Sequence, residues 1–342
     1  MKKLLTTLDY KKSNTKRSFT ALKKNRKRKN KVYVKPGHIK NKSNKIHSKK
    51  RLTLPLIIPI SAPKNFSLIY NTEETLLSFD KAYRALKERN RILFDISEVT
   101  TLTTDAIAVQ IAKFKDKQFH CNSIIFGNAP TDKTLNKLFA QSGFYEYVNI
   151  TGAKPTNDKK LLIHEITNNR VEPDKAKEAY LLGLRHTFQN EDIFEPLYNI
   201  LIEIMQNTNN HAGLTRGKYD WWLHVYNHPD SFKTSYTFLD LGIGIFESLP
   251  AKSFKRNFLD VLGITSNLDL IPKLFAGEIK SRTARPERGK GIPQVYECSQ
   301  HKAFEKFFLI SNDVYADLKS NENKILKNKF NGTLFYWELN NN

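Results

Sequence analysis

The chain has 342 residues, of which 39% are hydrophobic and 11% aromatic, and this is enough for about two folded domains. Its two cysteines, Cys121 and Cys298, lie far apart, which argues against a disulfide framework and a zinc site and favours a reducing compartment. Because no run of about 18 apolar residues is present, the sequence predicts no transmembrane helix and a cytoplasmic location.

Positive charge is concentrated near the start of the chain. Residues 2–51 hold 20 of the 56 Lys and Arg residues, and Asp9 is the only acidic residue among them. With few apolar residues and no periodicity, residues 1–51 cannot bury enough surface to offset their ordering entropy, so we expect them to be disordered. The dense run of positive charge at 23–31 can bind a polyanion, and nucleic acid is the leading expected partner. An anionic membrane is the second expected partner, and a tail that only solvates the protein is the alternative.

Residues 52–150 show short apolar runs that alternate with helical periodicity, a pattern typical of α/β proteins. The runs at 91–96 and 123–126 are continuous in apolar character, as in buried strands. The predicted strands are 66–70, 91–96 and 123–126, and the predicted helices are 73–89, 105–113 and 131–141. The sequence therefore predicts a small βαβαβα unit.

A stretch rich in Gly, Pro, Asn and Thr, residues 151–158, marks the predicted domain boundary. We interpret residues 151–172 as a linker with the first strand, and residues 173–342 as a second domain with long helices before an antiparallel sheet. The predicted strands are 161–166, 219–226, 234–239, 304–311 and 333–339, and the predicted helices are 174–189, 192–212, 254–262, 268–275 and 292–301.

The predicted helix 192–212 carries a polar stripe. Glu203, Asn207 and His211 follow one another at steps of four, each of which rotates the side chain by about 40°, so all three share one helix face. The carboxamide of Asn207 can give Mg²⁺ a neutral oxygen ligand, and the carboxylate of Glu203 can activate a water molecule. A solvated polar face is the alternative interpretation of this spacing alone.

Three glycine-containing segments follow the stripe. Asp240, Gly242 and Gly244 come directly after a predicted strand, where glycines allow close backbone approach to a planar ligand and the carboxylate can accept a hydrogen bond from an amino group. Residues 288–292, Arg-Gly-Lys-Gly-Ile, open a helix and would place free N–H groups and positive charge at phosphates. Residues 332–335 begin the last predicted strand.

These four segments, in this order and separation, resemble the asparagine box and the three glycine boxes of the GHKL ATPase superfamily, which includes gyrase, heat-shock chaperone, histidine-kinase and mismatch-repair ATP domains. The resemblance covers about residues 173–340 and implies the Bergerat fold, an α/β sandwich that binds ATP with Mg²⁺ beneath a mobile lid. By this resemblance Glu203 is the general base, Asn207 the magnesium ligand and Asp240 the acceptor of the adenine amino group. The resemblance implies an adenine loop at Gly242 and Gly244, phosphate contacts at Arg288, Gly289, Lys290 and Gly291, and a residue near the adenine at Thr333.

The implied lid is residues 277–290, in which Arg282 and Arg285 are further candidate phosphate contacts, with a solvated loop face as the alternative for each cation. The segment departs from the family pattern at Glu287, where another Gly is often found. It departs again at Pro293, near the first turn of the next helix, where Pro is tolerated. We therefore expect a lid that is less flexible than usual.

Residues 64–150 resemble the STAS domain, the fold of anti-sigma-factor antagonists, and this implies a protein partner. The matching segments are 92–100, 103–105, 126–130 and 138–144. In phosphorylated members a Ser begins the helix that follows the first of these segments, and Thr104 holds the best-matching position. Capping of that helix by Thr103 or Thr104 is the favoured interpretation.

The sequence thus predicts an α/β protein in which a STAS-like domain, residues 52–150, precedes a Bergerat-fold sandwich, residues 173–342. The first hypothesis is a bacterial-type regulatory protein, a Mg²⁺-dependent ATPase or ATP-driven switch, that binds nucleic acid through its tail. A serine/threonine kinase of the anti-sigma type and a non-hydrolysing ATP sensor are the alternatives, and a homodimer is left open. A histidine kinase is disfavoured because His186 lacks the acid and proline that usually follow the phosphoacceptor.

Overall fold

The computed structural model describes residues 56–147, 161–166, 171–211, 220–249, 266–279 and 291–341, with the backbone alone for 161–166, 209–211 and 220. Over these ranges the chain is a mixed α/β protein, and residues Leu54–Asn342 form one compact unit. The predicted disordered tail, residues 1–51, lies outside the described part. No helix in the described ranges is long and apolar enough to cross a membrane.

Residues 56–147, here named the N-terminal module, contain parallel strands joined by helices, as parallel pairing requires. The strands are β1 (Ile57–Ser61), β2 (Asn65–Phe66), β3 (Arg91–Asp95), β4 (Thr101–Leu102) and β5 (Ile125–Gly127). The helices are α1 (Thr72–Lys87), α2 (Thr104–Lys115), α3 (Lys117–His120), α4 (Lys133–Gln141) and α5 (Phe144–Tyr147). One sheet has the order β1-β3-β5, and β2 pairs with β4.

The three longer helices of the module agree closely with the predicted ones, but the strands differ. The prediction of a buried strand at 123–126 was wrong, because β5 lies at an edge of its sheet and Phe126 is exposed. Strand β4 was not predicted. The predicted strand 66–70 ends at Phe66, because the hydroxyl of Ser67 accepts hydrogen bonds from the backbone N–H groups of Ile69 (3.2 Å) and Tyr70 (3.1 Å) and the chain turns there. Strand β1 was not predicted because Pro59 interrupts its apolar run. It lies at the edge of its sheet, where a residue without an N–H group is tolerated.

Residues 161–341, here named the C-terminal region, contain an antiparallel sheet in the order β6-β7-β8-β10-β9. Its strands are β6 (Leu161–Ile166), β7 (Asp220–Asn227), β8 (Lys233–Asp240), β9 (Phe304–Asp317) and β10 (Asn323–Asn340). Its described helices are α6 (Pro173–Thr187), α7 (Glu195–His211), α8 (Ile245–Ser248), α9 (Leu270–Phe275) and α10 (Gly291–Ser299).

The hairpin of β9 and β10 is longer than the predicted strands 304–311 and 333–339. Register shifts interrupt β10 on both sides of Phe330, and most residues of 323–329 are polar. This stretch therefore lacks the apolar alternation by which a strand is recognised in sequence. The predicted helix 254–262 lies outside the described residues.

The two faces of the five-stranded sheet belong to different hydrophobic clusters. Trp221 and Phe238 pack with α6, α7 and α10, whereas their neighbours Trp222 and Leu239 pack with α1, α2 and the rest of the module. This follows from the alternation of side chains along a strand. The sheet is therefore covered by helices on one face and by the N-terminal module on the other.

Polar contacts join the module to the hairpin of β9 and β10. The Glu73 carboxylate accepts hydrogen bonds from the backbone N–H groups of Lys327 (2.7 Å) and Asn328 (3.1 Å), and the Tyr315 hydroxyl donates to the carbonyl of Ile69 (3.1 Å). Module and sheet thus share one core. The domain limits at 150 and 173 stay predictions, because residues 148–160 and 167–170 are not described.

Candidate functional site

The polar stripe lies on α7 as the spacing predicts. Glu203 and Asn207 are partly buried, and the helix packs against the sheet through buried residues that include Ile204 and Met205. Burial raises the pKa of the Glu203 carboxyl above its usual value. His211 is the last residue of α7, and its side chain is not described.

Gly291, the first residue of α10, lies against this stripe. A Cβ atom at position 291 would stand 2.8 Å from both Oδ1 and Nδ2 of Asn207, and 2.9 Å from Oε2 of Glu203. The absence of a side chain therefore leaves a space that the amide and the carboxylate share, at the end of a helix where backbone N–H groups lack helical partners. The neighbouring predicted phosphate contacts Arg288, Gly289 and Lys290 lie outside the described residues.

Asp240, the last residue of β8, is only 4% exposed. Its Oδ1 accepts a hydrogen bond from the backbone N–H of Gly242 (2.8 Å), and its Oδ2 accepts one from the hydroxyl of Thr208 (3.3 Å). Burial raises the pKa of Asp240 to about 6, although these hydrogen bonds favour the charged form. Because Thr208 follows Asn207 on α7, the helix that carries the amide also contacts the carboxylate. Sequence reasoning missed Thr208.

Two glycines with positive φ allow the chain to close around Asp240. Gly244 has φ 79°, and a Cβ atom there would stand 2.5 Å from Oδ1 of Asn312. Gly332 has φ 125°, and a Cβ atom there would collide with the carbonyl oxygen of Asp240. Both positions therefore require glycine. Thr333, the next residue, is buried and pairs with Asp240 across β10 and β8.

These elements line a cavity that is partly open to solvent and combines apolar walls with a few polar groups, the character of a small-molecule site. The predicted site residues that line it are Asn207, Asp240, Gly244, Gly291 and Thr333. Glu203 adjoins it at Gly291, and Gly242 contacts Asp240. The apolar walls of the cavity are Ile204, Phe238, Ile245, Leu249, Leu274, Ile279, Ile292, Pro293 and Phe335, none of which was predicted as a site residue.

The donor atoms at this cavity fit a nucleotide with its metal. The amide nitrogen of Asn207 is buried and has no hydrogen-bond partner among the described residues, which leaves it free for an acceptor such as a phosphate oxygen. The described residues contain no cluster of three or more His, Cys, Asp or Glu side chains that could hold a metal ion. A magnesium ion here would therefore take most of its oxygen ligands from the bound molecule and from water.

Two residues considered as phosphoacceptors do not line the cavity. The Nε2 atom of His186 lies 3.0 Å from the carbonyl oxygen of His228, a contact in which it donates to the backbone. Thr104 begins α2 and is only 6% exposed. Thr103 is the N-cap of α2 but makes no capping bond, since its hydroxyl donates to the carbonyl of Phe66 (3.5 Å), so the expected side-chain cap is not formed.

The motif order in the sequence is matched by proximity in space, because α7, the end of β8, the start of α10 and Thr333 in β10 meet at one cavity. The chain matches no protein-family model, and no curated protein sequence matches it at a significant level. The resemblance to the GHKL and STAS families therefore rests on the residues named in the sequence analysis.

Proposed function

We propose that the C-terminal region binds ATP with Mg²⁺ in this cavity and acts as a regulatory ATPase or ATP-driven switch. The observation that carries the proposal is that Asn207 and Asp240, on different elements, line the same cavity. An amide can bind a metal ion or a phosphate, whereas a buried carboxylate can accept a hydrogen bond from the amino group of a purine. These chemistries suit the two ends of one nucleotide.

Each residue has a role in this proposal. Asn207 holds the magnesium ion, which when bound neutralises negative charge on the phosphates. Asp240 recognises the adenine amino group, while the N–H groups at the start of α10, opened by Gly291, contact phosphate. Glu203 lies beside Gly291 and accepts the proton of the attacking water, a function that its raised pKa favours.

The experiment is a calorimetric titration of the full chain with ATP, with and without Mg²⁺, followed by a turnover assay. We expect saturable binding that requires Mg²⁺, and release of free phosphate. Glu203→Gln should keep the binding and lose the phosphate release. Absence of saturable binding by the wild-type chain would contradict the proposal, and binding without turnover would favour the sensor alternative.

The kinase alternative requires a hydroxyl that can reach the nucleotide. Thr104, the position that the STAS resemblance suggests, is buried where α2 packs near β7 and β8, which speaks against Thr104 as the acceptor. A kinase of this kind would act on another hydroxyl, in this chain or in another protein. Incubation with γ-labelled ATP separates the two functions, because label on protein supports a kinase and label in free phosphate supports an ATPase.

We also propose that residues 1–51 bind nucleic acid. Their 20 Lys and Arg residues against a single acid favour counterion release from a phosphate backbone, and this makes binding strongly dependent on salt. Removal of residues 1–51 should abolish the binding of mixed-sequence DNA and RNA at moderate salt. Unchanged affinity in the shortened chain would contradict this part of the proposal.

A further inference from the structure

We infer that Ser311 and Asn312, adjacent residues of β9, are positioning residues that hold the wall of the cavity at which the base of the nucleotide binds. The inference rests on the proposed function and adds two residues that no motif in the sequence indicates. Both side chains are almost fully buried, at 0% and 4% exposed. Neither lines the cavity itself, so each acts through the loop that it holds.

Asn312 uses its amide to fix three backbone groups of this loop. Its Oδ1 accepts hydrogen bonds from the backbone N–H groups of Phe246 (3.0 Å) and Glu247 (3.2 Å), and its Nδ2 donates to the carbonyl of Ile243 (2.9 Å). Asn312 itself has φ 54°, a left-handed conformation that Asn adopts more readily than most residues. The side chain is also the surface against which Gly244 packs.

Ser311 connects the same loop to the neighbouring strand. Its hydroxyl accepts a hydrogen bond from the backbone N–H of Ile245 (2.8 Å) and donates to the carbonyl of Gly332 (2.9 Å). Gly332 in turn lies on the carbonyl oxygen of Asp240. The Ser311 hydroxyl thereby connects the loop that follows Asp240 to the part of β10 that contacts Asp240.

The loop needs these partners because α8 is a single turn. The first N–H groups of a helix have no partner within the helix, and Gly244, its N-cap, makes no side-chain capping bond. Ser311 and Asn312 supply the caps from another strand, at the backbone N–H groups of residues 245–247. Since Gly244 and Ile245 line the cavity with Asp240, the two side chains set the shape of the wall next to that carboxylate.

Because Ser311 and Asn312 hold the wall at the base end of the site, their substitution should change the affinity for every adenine ligand by the same factor. We therefore propose measuring the binding of adenosine, ADP and Mg²⁺-ATP to full-length Asn312→Gly, in which glycine keeps the positive φ without strain. We expect a loss of about tenfold for all three ligands, with the ratio of ATP to ADP affinity unchanged. Hydrogen exchange at the amides of residues 245–247 should become faster.

Two further variants make the test specific. Asn312→Asp keeps the acceptor oxygen for Phe246 and Glu247 and should lose less than about threefold in affinity. Asn321→Gly is the matched control, because Asn321 also has positive φ (59°) but is exposed in the β9–β10 turn, and it should bind as the wild type does. If Asn312→Gly does not fold, Ser311→Ala provides the same comparison.

The inference is overturned if Asn312→Gly or Ser311→Ala binds all three ligands like the wild type, or if the loss is confined to ATP and so lies at the phosphate end. Neither of these two results would contradict the proposed function. If the wild-type chain binds none of the three ligands, it is the proposed function that fails, and the positioning role fails with it.

Discussion

Gly291 and Asn207 lie so close that a Cβ atom on the glycine would stand 2.8 Å from both polar atoms of the amide. Gly291→Ala therefore fills the space that the amide shares with Glu203. We expect the affinity for Mg²⁺-ATP to fall at least about tenfold. The thermal midpoint should change less than the affinity does, because the atoms that a Cβ atom would displace are the ends of the Asn207 and Glu203 side chains.

The control is Gly127→Ala, since a Cβ atom at Gly127 meets only an ordinary contact, 3.7 Å from the carbonyl oxygen of Phe94. It should leave nucleotide affinity unchanged. Equal affinities for the wild type and Gly291→Ala would show that phosphate does not approach the start of α10.

Asn207→Ala tests the metal ligand. We expect it to remove most of the Mg²⁺ dependence of ATP binding while adenosine still binds, because the base end of the cavity is untouched. Gln206→Ala is the matched control, because Gln206 precedes Asn207 on α7 and is exposed. The two variants should be compared by calorimetry with and without Mg²⁺, and an undiminished Mg²⁺ effect in Asn207→Ala would rule out this role.

Asp240 should make the binding of the base depend on pH. Its pKa is raised to about 6 by burial, so the carboxylate that accepts from an amino group is lost as the pH falls through that value. We expect adenosine affinity to rise between about pH 5 and about pH 7.5, with Asp240→Asn weaker and nearly flat. Adenosine is the ligand of choice because it carries no titrating phosphate. The same slope in Asp240→Asn would assign the titration to another group.

The same shift predicts an effect on stability. Because burial raises the pKa in the folded state from the usual 3.8 to about 6, the apoprotein loses stability as the pH rises from about 3.8 to about 6, and the loss is complete above about 6. Asp240→Asn should therefore be at least as stable as the wild type near pH 7.5. Chemical denaturation of both proteins without nucleotide measures this, and a large loss would show that the charged form is the one that the fold prefers.

Phe330 tests whether module and sheet unfold together. Its buried ring lies in the core that the N-terminal module and the sheet share, with the Lys113 ammonium 5.5 Å from its centroid. Phe330→Ala should cost about 3–5 kcal/mol. We expect one unfolding transition, shifted to lower denaturant, by fluorescence and by circular dichroism alike. Two separate transitions, of which only one shifts, would contradict a common core.

Much of the C-terminal region follows from sequence patterns. The 3.6-residue period predicts α7 with Glu203 and Asn207 on one face, and the strand ending at Asp240 is marked by its apolar run and the glycines after it. Because these patterns are local, they can be recognised in the sequence without knowledge of the fold. The expectation that Asn207 and Asp240 face one cavity needed the family resemblance, since periodicity does not give distances between elements.

Other parts of the site depend on tertiary contacts that leave no local pattern. Ser311 ends a predicted strand and Asn312 lies just beyond it, and their partners at residues 243–247 are remote in sequence. The packing of the N-terminal module on the sheet was also not predicted. Apolar residues on both faces of β7 and β8 indicate that both faces are buried, but they do not identify which part of the chain packs on each face.

The hydrogen bonds between Glu73 and the bulged part of β10 join groups 254 residues apart in the chain. During synthesis the N-terminal module leaves the ribosome long before the hairpin that covers its apolar surface. The apolar surface of the module therefore stays exposed to solvent until β10 has been synthesised. Chaperones that bind exposed apolar segments can bind the nascent chain during this interval. A ribosome stalled before β10 would carry a nascent chain that is prone to aggregation. Release of the completed hairpin would let the N-terminal module and the five-stranded sheet pack against each other in one step.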